Sequence, residues 1–391
     1  MPTKLKFLIS FLGLALLLSV PAQAQIVFGQ PASGDVMFFF SSWTLDYDDA
    51  TPTVKISQSM VPLRAFIPLG ENTEGLIYVS AASSELVTAA SSELETTSSQ
   101  DSTLKGMSDV RMQVSRSFAG DQMLLSLGLN LPTGKTSLSF NDEVQVLEYL
   151  AADFIDVPLR RLGEGFGFSV LLGGARMLGD WRAGGSIMYR YNGSYDPYEG
   201  VTDFDPGDLI SFNLGFDRIM EAATVSVEMI YSLYGSDQLG GSDAYKQSSV
   251  IDIHAGYNWH KGVNRVKVAG GYVAHGRNTA YVDTPASETK IYGDEFWLRA
   301  IWGRDLGKAW RVTPAVNIRT IAANEQNLGS STVFGLGTTV ARPLSDQVGI
   351  DFSGTYFIGG SNIDLTDDEV DNHISVDLTG YQIRVGLTAN L

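Results

Sequence analysis

The residues able to do acid–base or metal chemistry are scattered along this chain. Cysteine is absent, so a disulfide framework, a thiolate zinc site and a thiol nucleophile are all excluded. The four histidines, His254, His260, His275 and His373, show no metal-ligand spacing. A hydrolase would need a Ser or Asp held beside His275 or His373; neither an enzyme, a cofactor nor a bound metal is expected. Asp203, Asp205 and Asp208 have a spacing that carboxylate oxygens could offer to Ca²⁺. No twelve-residue calcium loop follows them, so the acidic segments read as solvated loops. The arginines are more informative. Arg182, Arg190, Arg299 and Arg311, with the acids Glu228, Asp252 and Asp351, each stand between apolar neighbours in alternating runs, and Arg319 follows Ile318 in another.

Such an arrangement requires strands. Met123, Leu125, Leu127, Leu129 and Leu131 share one parity and Leu124, Ser126, Gly128 and Asn130 the other. Period two recurs at Trp181–Tyr191, Val225–Leu233, Ile251–Trp259 and Trp310–Ile318. A helical reading would scatter Arg and Asp around every face. Strands are expected near 35–47, 52–67, 75–82, 107–118, 122–131, 166–178, 181–192, 208–218, 223–234, 249–260, 264–275, 290–303, 310–322, 331–341, 347–358 and 376–391. The expected fold is all-β: a transmembrane antiparallel β-barrel of about sixteen strands, or fourteen should the 75–82 segment drop out beside the featureless Ser/Thr-rich 83–105. Backbone facing lipid must be fully paired, so such a sheet has to close on itself.

Connection lengths agree. Links at 119–121, 179–180, 217–222, 260–263, 304–309 and 342–346 are short, whereas 132–165, 193–207, 235–248, 276–289, 323–330 and 359–375 are long. Apart from a short first connection near Asp48–Thr51, short turns then face the periplasm and long loops the outside. Lys4 and Lys6 precede the uncharged run Phe7–Val20 and the Ala22-Gln23-Ala24 cleavage pattern, so residues 1–24 read as a signal peptide and 25–391 as a single barrel domain. The formal charge is −17, and −19 without the leader's two lysines; nucleic acid is excluded as a main partner, because phosphate neutralisation needs clustered cations. A secreted β-sandwich would also alternate, with its oily face turned to a second sheet.

On the inferred inward parity lie Arg111, Arg182, Arg190, Arg265, Lys267, Arg299, Arg311, Arg319 and Arg384, against Asp109, Asp217, Glu228, Asp252 and Asp351. They read either as a charged path for substrate or as mutually satisfied polar groups of a wet lumen. Within 140–165, Val144, Leu147, Ala151 and Phe154 have helical spacing behind a capping Asn141-Asp142. That helix would constrict the lumen, lie across the mouth as a lid, or decorate an external loop. Arg160, Arg161 and Glu164 leave it towards the channel mouth.

Gly106-Met107-Ser108-Asp109 opening an alternating strand, a tight turn, and a strand ending Leu131-Pro132-Thr133-Gly134 carry a resemblance. With the preceding hairpin Pro62–Ala81, they resemble the exported barrels of the phenol-degradation-pathway (MetA-pathway) family, themselves similar to the long-chain fatty-acid transporters of the outer membrane. The likeness covers roughly residues 60–135 and is carried by short motifs. It implies an outer-membrane channel for passive uptake of small hydrophobic or aromatic compounds. The alternating C-terminal segment Tyr381–Leu391 resembles the assembly signal of such barrels, which implies the barrel-assembly machinery and outer-membrane lipid as partners. A general porin for hydrophilic solutes and a structural or adhesive surface barrel remain alternatives; the oligomeric state is left open.

Overall fold

The computed structural model describes residues 32–48, 53–88, 100–152, 154–281, 285–307, 309–325, 328–364 and 373–390. The predicted leader lies outside them, as do parts of the acidic segments near 48 and 365–371. In chain order the elements are β1 (Ser33–Tyr47), β2 (Val54–Gly70), β3 (Thr73–Thr88), β4 (Gln100–Met107), β5 (Val110–Phe118), β6 (Met123–Leu131), the helix α1 (Glu143–Ala151), β7 (Gly167–Leu178) and β8 (Trp181–Asn192). There follow β9 (Phe204–Asp205), β10 (Leu209–Ile219), β11 (Ala223–Tyr234), β12 (Ser236–Leu239), β13 (Ser242–Lys246), β14 (Val250–Lys261), β15 (Asn264–His275), β16 (Asn278–Ala280) and β17 (Ser287–Thr289). The chain ends with β18 (Glu295–Leu306), β19 (Trp310–Ile321), β20 (Leu328–Pro343), β21 (Val348–Asp364) and β22 (His373–Asn390).

The long strands form one closed antiparallel barrel of sixteen staves. Closure is made by β1, which pairs with β2 on one edge and β22 on the other, Ser33 opposite Asn390 and Tyr47 opposite Val376. One stave is broken. β4 pairs with Ala81–Thr88 of β3 and β5 with Thr73–Tyr78 of the same strand. The interruption falls at Ser108–Asp109, where Ser80 and Ser108 exchange backbone and hydroxyl hydrogen bonds. β5 pairs onward with β6, whereas β4 pairs with β3 alone among the described residues.

The wall is apolar outside. Leu125, Leu127 and Leu129 on β6, Phe212, Leu214 and Phe216 on β10, and Phe352, Tyr356 and Ile358 on β21 are all exposed on one parity. Alternation with this polarity suits hydrocarbon, since every backbone group is paired within the closed sheet.

Strand length is uneven around the barrel. β7, β8, β11, β14, β15, β18 and β19 have 12 residues, close to what a tilted strand needs to span a bilayer. The six strands β1–β3 and β20–β22 have 15 to 18 and rise past the apolar belt on one side. There the polarity inverts. Lys55, Glu85, Asp101 and Lys105 point outward and are exposed, or lie on that parity, while Trp43, Leu45, Val54, Ile56, Leu86, Leu104, Val376 and Leu378 point inward and are buried.

Two expectations are corrected. The 75–82 strand is the middle of a sixteen-residue one, and part of the segment expected to be featureless, 83–88 and 100–105, is paired sheet. The strand expected to start at 290 starts at Glu295, with Lys290 and Asp294 in the loop before it, 2.8 Å apart in an ion pair. Within the long loops, β9, β12, β13, β16 and β17 build a separate five-stranded sheet.

Candidate functional site: a plugged lumen

Residues 138–152 and 154–162 fold into the barrel beneath the tall strands. Leu138, Val146, Leu150, Phe154, Ile155 and Leu162 are buried against Trp43 and Leu45 of β1, Val54 and Ile56 of β2, Leu86 of β3, Leu104 of β4, Phe357 of β21, and Val376 and Leu378 of β22. Among the three placements the sequence left open, the segment is therefore inside the lumen. Apolar side chains on both partners drive that placement, each large one contributing on the order of 1.5–3 kcal/mol on burial.

The helix differs from its expected form. Asp142 makes no side-chain cap; Glu143 instead accepts from the Ser139 backbone N–H at 3.0 Å, and its own N–H approaches the Ser139 hydroxyl at 3.4 Å. Val146 and Leu150 form the buried face, with Val144 and Leu147 half-buried beside them and Ala151 exposed. Phe154 lies past the helix end but packs into the same core.

Polar pins hold the plug. The Asp109 carboxylate, at the break between β4 and β5, accepts from Gly134 N–H at 2.8 Å, Glu164 N–H at 2.7 Å and the Asn130 side-chain amide at 2.8 Å. Gly134 and Glu164 are the two legs of the plug, so one buried carboxylate ties both to the wall. The legs cross so closely that a Cβ on Gly134 would lie 2.5 Å from the Leu162 carbonyl, and one on Gly163 would lie 2.8 Å from the Lys135 backbone. Further along, Gln58 of β2 donates to the Leu159 carbonyl at 2.6 Å, and Gln382 of β22 donates to that of Asp156 at 2.6 Å. Arg111 pairs with Glu164 at 3.0 Å, and Arg161 stacks over the Tyr195 ring at 4.8 Å, where burial pushes the tyrosine hydroxyl above its usual range.

A cavity of about 370 Å³ lies between plug and wall. Trp43, Phe154 and Phe357 form apolar sides, and Arg160, Arg299 and Arg319 bring cations to it. Trp43 and Phe357 stack with centroids 5.0 Å apart. Arg319 is paired with Glu295 at 2.7 Å; Arg299 has no ion-pair partner among the described residues. Below, a second cavity of about 500 Å³ is bordered by His260, Arg265, Lys267 and Arg311.

The other inward charges are mostly neutralised across strands. Arg182 meets Asp217 with Nε at 2.7 Å, and Arg384 meets Asp351 at 3.1 Å. His254 lies between Glu228 and Asp252, 3.3 Å from each, and Asp305 is shared by Arg311 at 2.7 Å and Arg265 at 3.5 Å. Arg190 on β8, opposite Ser169 and Leu209, has no ion-pair partner among the described residues. The predicted residues therefore do not converge on one point: Arg299 and Arg319 share the upper cavity with Arg160, Arg311 belongs to the lower one, and Arg182, Arg190, Glu228, Asp252 and Asp351 spread around the wall. Sequence reasoning placed Asp109 among ordinary lumen charges and missed Gln58 and Glu295. The only signal for Asp109 was its position in the Gly106–Asp109 motif.

The Asp-rich loops are bound up in the extracellular sheet. Asp237 accepts from Gly207 N–H at 2.7 Å, and Asp196 from Asp203 N–H at 3.2 Å. Burial raises the Asp237 carboxyl above its ordinary range, against the pull of that N–H. No cluster of three or more His, Asp or Glu able to hold a metal occurs among the described residues.

Closed antiparallel pairing with an apolar exterior and a polar or plugged interior defines the class: a transmembrane β-barrel. Solved barrels share this general form. A FadL homologue of Pseudomonas aeruginosa gives a TM-score of 0.46 at 7% identity over 97% of this chain and 96% of that one. Pseudomonas putida OprB gives 0.45 at 7% over 90% and 92%, and Pseudomonas aeruginosa OpdQ gives 0.43 at 9% over 92% and 99%. At these scores the class rests on the strand pairing itself. No family model and no curated protein matches the chain.

Proposed function

We propose that the protein is an outer-membrane channel that passes small hydrophobic or aromatic molecules by diffusion, with the 138–162 plug setting the aperture. The observation that carries this reading is the upper cavity, where the Trp43–Phe357 stack and Phe154 face Arg160, Arg299 and Arg319. Apolar walls would take the body of an amphiphile and the guanidinium groups its polar or anionic end. No energy source or covalent step is involved.

A test measures entry of radiolabelled benzoate and laurate into liposomes holding the purified mature protein, at about pH 8, where both carboxylates are ionised. Wild-type protein should accelerate entry of both, and Arg299→Gln with Arg319→Gln should slow the anions by about tenfold, as expected for the loss of charge-assisted contacts. Equal entry with and without protein would overturn the reading. The charged lower cavity favours a second one, a general porin for hydrophilic solutes. Large, steady single-channel currents in planar bilayers would select that alternative.

A further inference from the structure

The outward face at the short-turn end carries charge of one sign. Arg116 on β5, Arg176 on β7, Arg218 on β10, Lys261 on β14, Arg304 on β18 and Arg342 on β20 each stand within the last three residues of a strand descending to that end. All six are exposed. Their parity is that of the apolar belt: Val114 and Phe118 flank Arg116, Phe216 precedes Arg218, and Trp302 and Leu306 flank Arg304. At about 3.3 Å of rise per residue, each cation lies within roughly 10 Å of its turn, where hydrocarbon gives way to headgroups.

These cations differ from those of the lumen. Inside, Arg182, Arg319 and Arg384 each meet a carboxylate. On the rim, none of the five arginines has an ion-pair or hydrogen-bond partner among the described residues. Two are held instead by aromatic rings of the belt, Arg218 over Trp181 at 5.6 Å and Arg342 over Trp310 at 5.0 Å. Such stacking leaves the guanidinium N–H groups pointing past the ring and still able to donate. The turn acids Glu71, Asp121, Asp180, Glu221 and Asp346 lie beyond the strand ends, on the water side. Outward charges at the other end, Lys55, Glu85, Asp101 and Lys105, are of mixed sign.

We infer that this rim is a binding surface for the phosphate groups of anionic phospholipids, whose acyl chains lie on the belt above. Alternate staves place neighbouring cations about 10 Å apart around the circumference, one site to a lipid rather than a patch for one macromolecule. A phosphodiester accepts two parallel guanidinium N–H bonds, and a net negative headgroup adds attraction that a zwitterionic one lacks.

The test is native mass spectrometry of the purified mature chain in detergent supplied with equimolar phosphatidylglycerol and phosphatidylcholine. Wild-type protein should retain phosphatidylglycerol in preference by about threefold or more, as charge-assisted contacts predict. The variant carrying Arg176→Gln, Arg218→Gln, Arg304→Gln and Arg342→Gln should lose the preference. Arg265→Gln, at the same height on the inward face, should keep it. No preference in the wild-type protein overturns the inference even if the four-site variant fails to fold, and so does loss of preference in Arg265→Gln, which would put the lipid in the lumen. Neither result touches the permeability reading, which is scored on solute entry.

Discussion

Asp109 accepts three hydrogen bonds at a point where a strand breaks and both legs of the plug cross. Replacing it with alanine removes the shared acceptor of three part-buried donors, at a cost of up to about 1–3 kcal/mol for any one that water does not reach. The expected outcome for Asp109→Ala is a barrel that still runs as a compact heat-modifiable band on gels but whose Lys135 and Arg160 bonds become open to trypsin. Unchanged resistance would show that the pin is dispensable. Gly134→Ala should reproduce the effect from the other side, because its Cβ would lie 2.5 Å from the Leu162 carbonyl; bilayer recordings should then show added conductance, and unaltered traces would contradict the crossing geometry. The sequence displayed both residues in short motifs but not their roles. Period two tells which way a side chain points, whereas a three-way hydrogen bond joins residues 25 and 55 positions apart.

At the scale of elements, the helix was legible and its place was not. Val144, Leu147 and Phe154 announce an apolar stripe, and a stripe is satisfied by any oily partner. Here the partner is the inner wall of β1–β4 and β20–β22, where the usual alternation is reversed above the membrane. The same reversal hid the ends of β3 and β4: Ser83, Glu85, Asp101, Thr103 and Lys105 face water, so no oily parity marks these segments as strands. Leu150 is buried within this interface. Leu150→Ala should weaken plug docking by about 2–5 kcal/mol, the usual cost of such a truncation. Deleting 140–161 should raise single-channel conductance several-fold, as removal of a lumen constriction requires. Conductance unchanged by the deletion would place the limiting aperture elsewhere, at the lower cavity or in the extracellular sheet.

For the whole molecule, the alternating runs at Met123–Leu131, Trp181–Tyr191, Val225–Leu233, Ile251–Trp259 and Trp310–Ile318 sufficed to indicate a closed barrel, because paired backbone with one oily parity has few other solutions. Closure itself, Ser33 against Asn390, joins the two ends of the described chain and was inferred from the need to leave no edge. A membrane barrel requires that the outward parity meet hydrocarbon. The six tryptophans divide cleanly on that question: Trp181, Trp259, Trp302 and Trp310 lie on the outward parity, while Trp43 and Trp297 lie inward, Trp43 almost fully buried. Single-tryptophan variants reconstituted in bilayers of brominated phospholipid measure it directly. The prediction is strong quenching for Trp181, Trp302 and Trp310 and little for Trp43 and Trp297; quenching of Trp43 and Trp297 with the other three unaffected would contradict it.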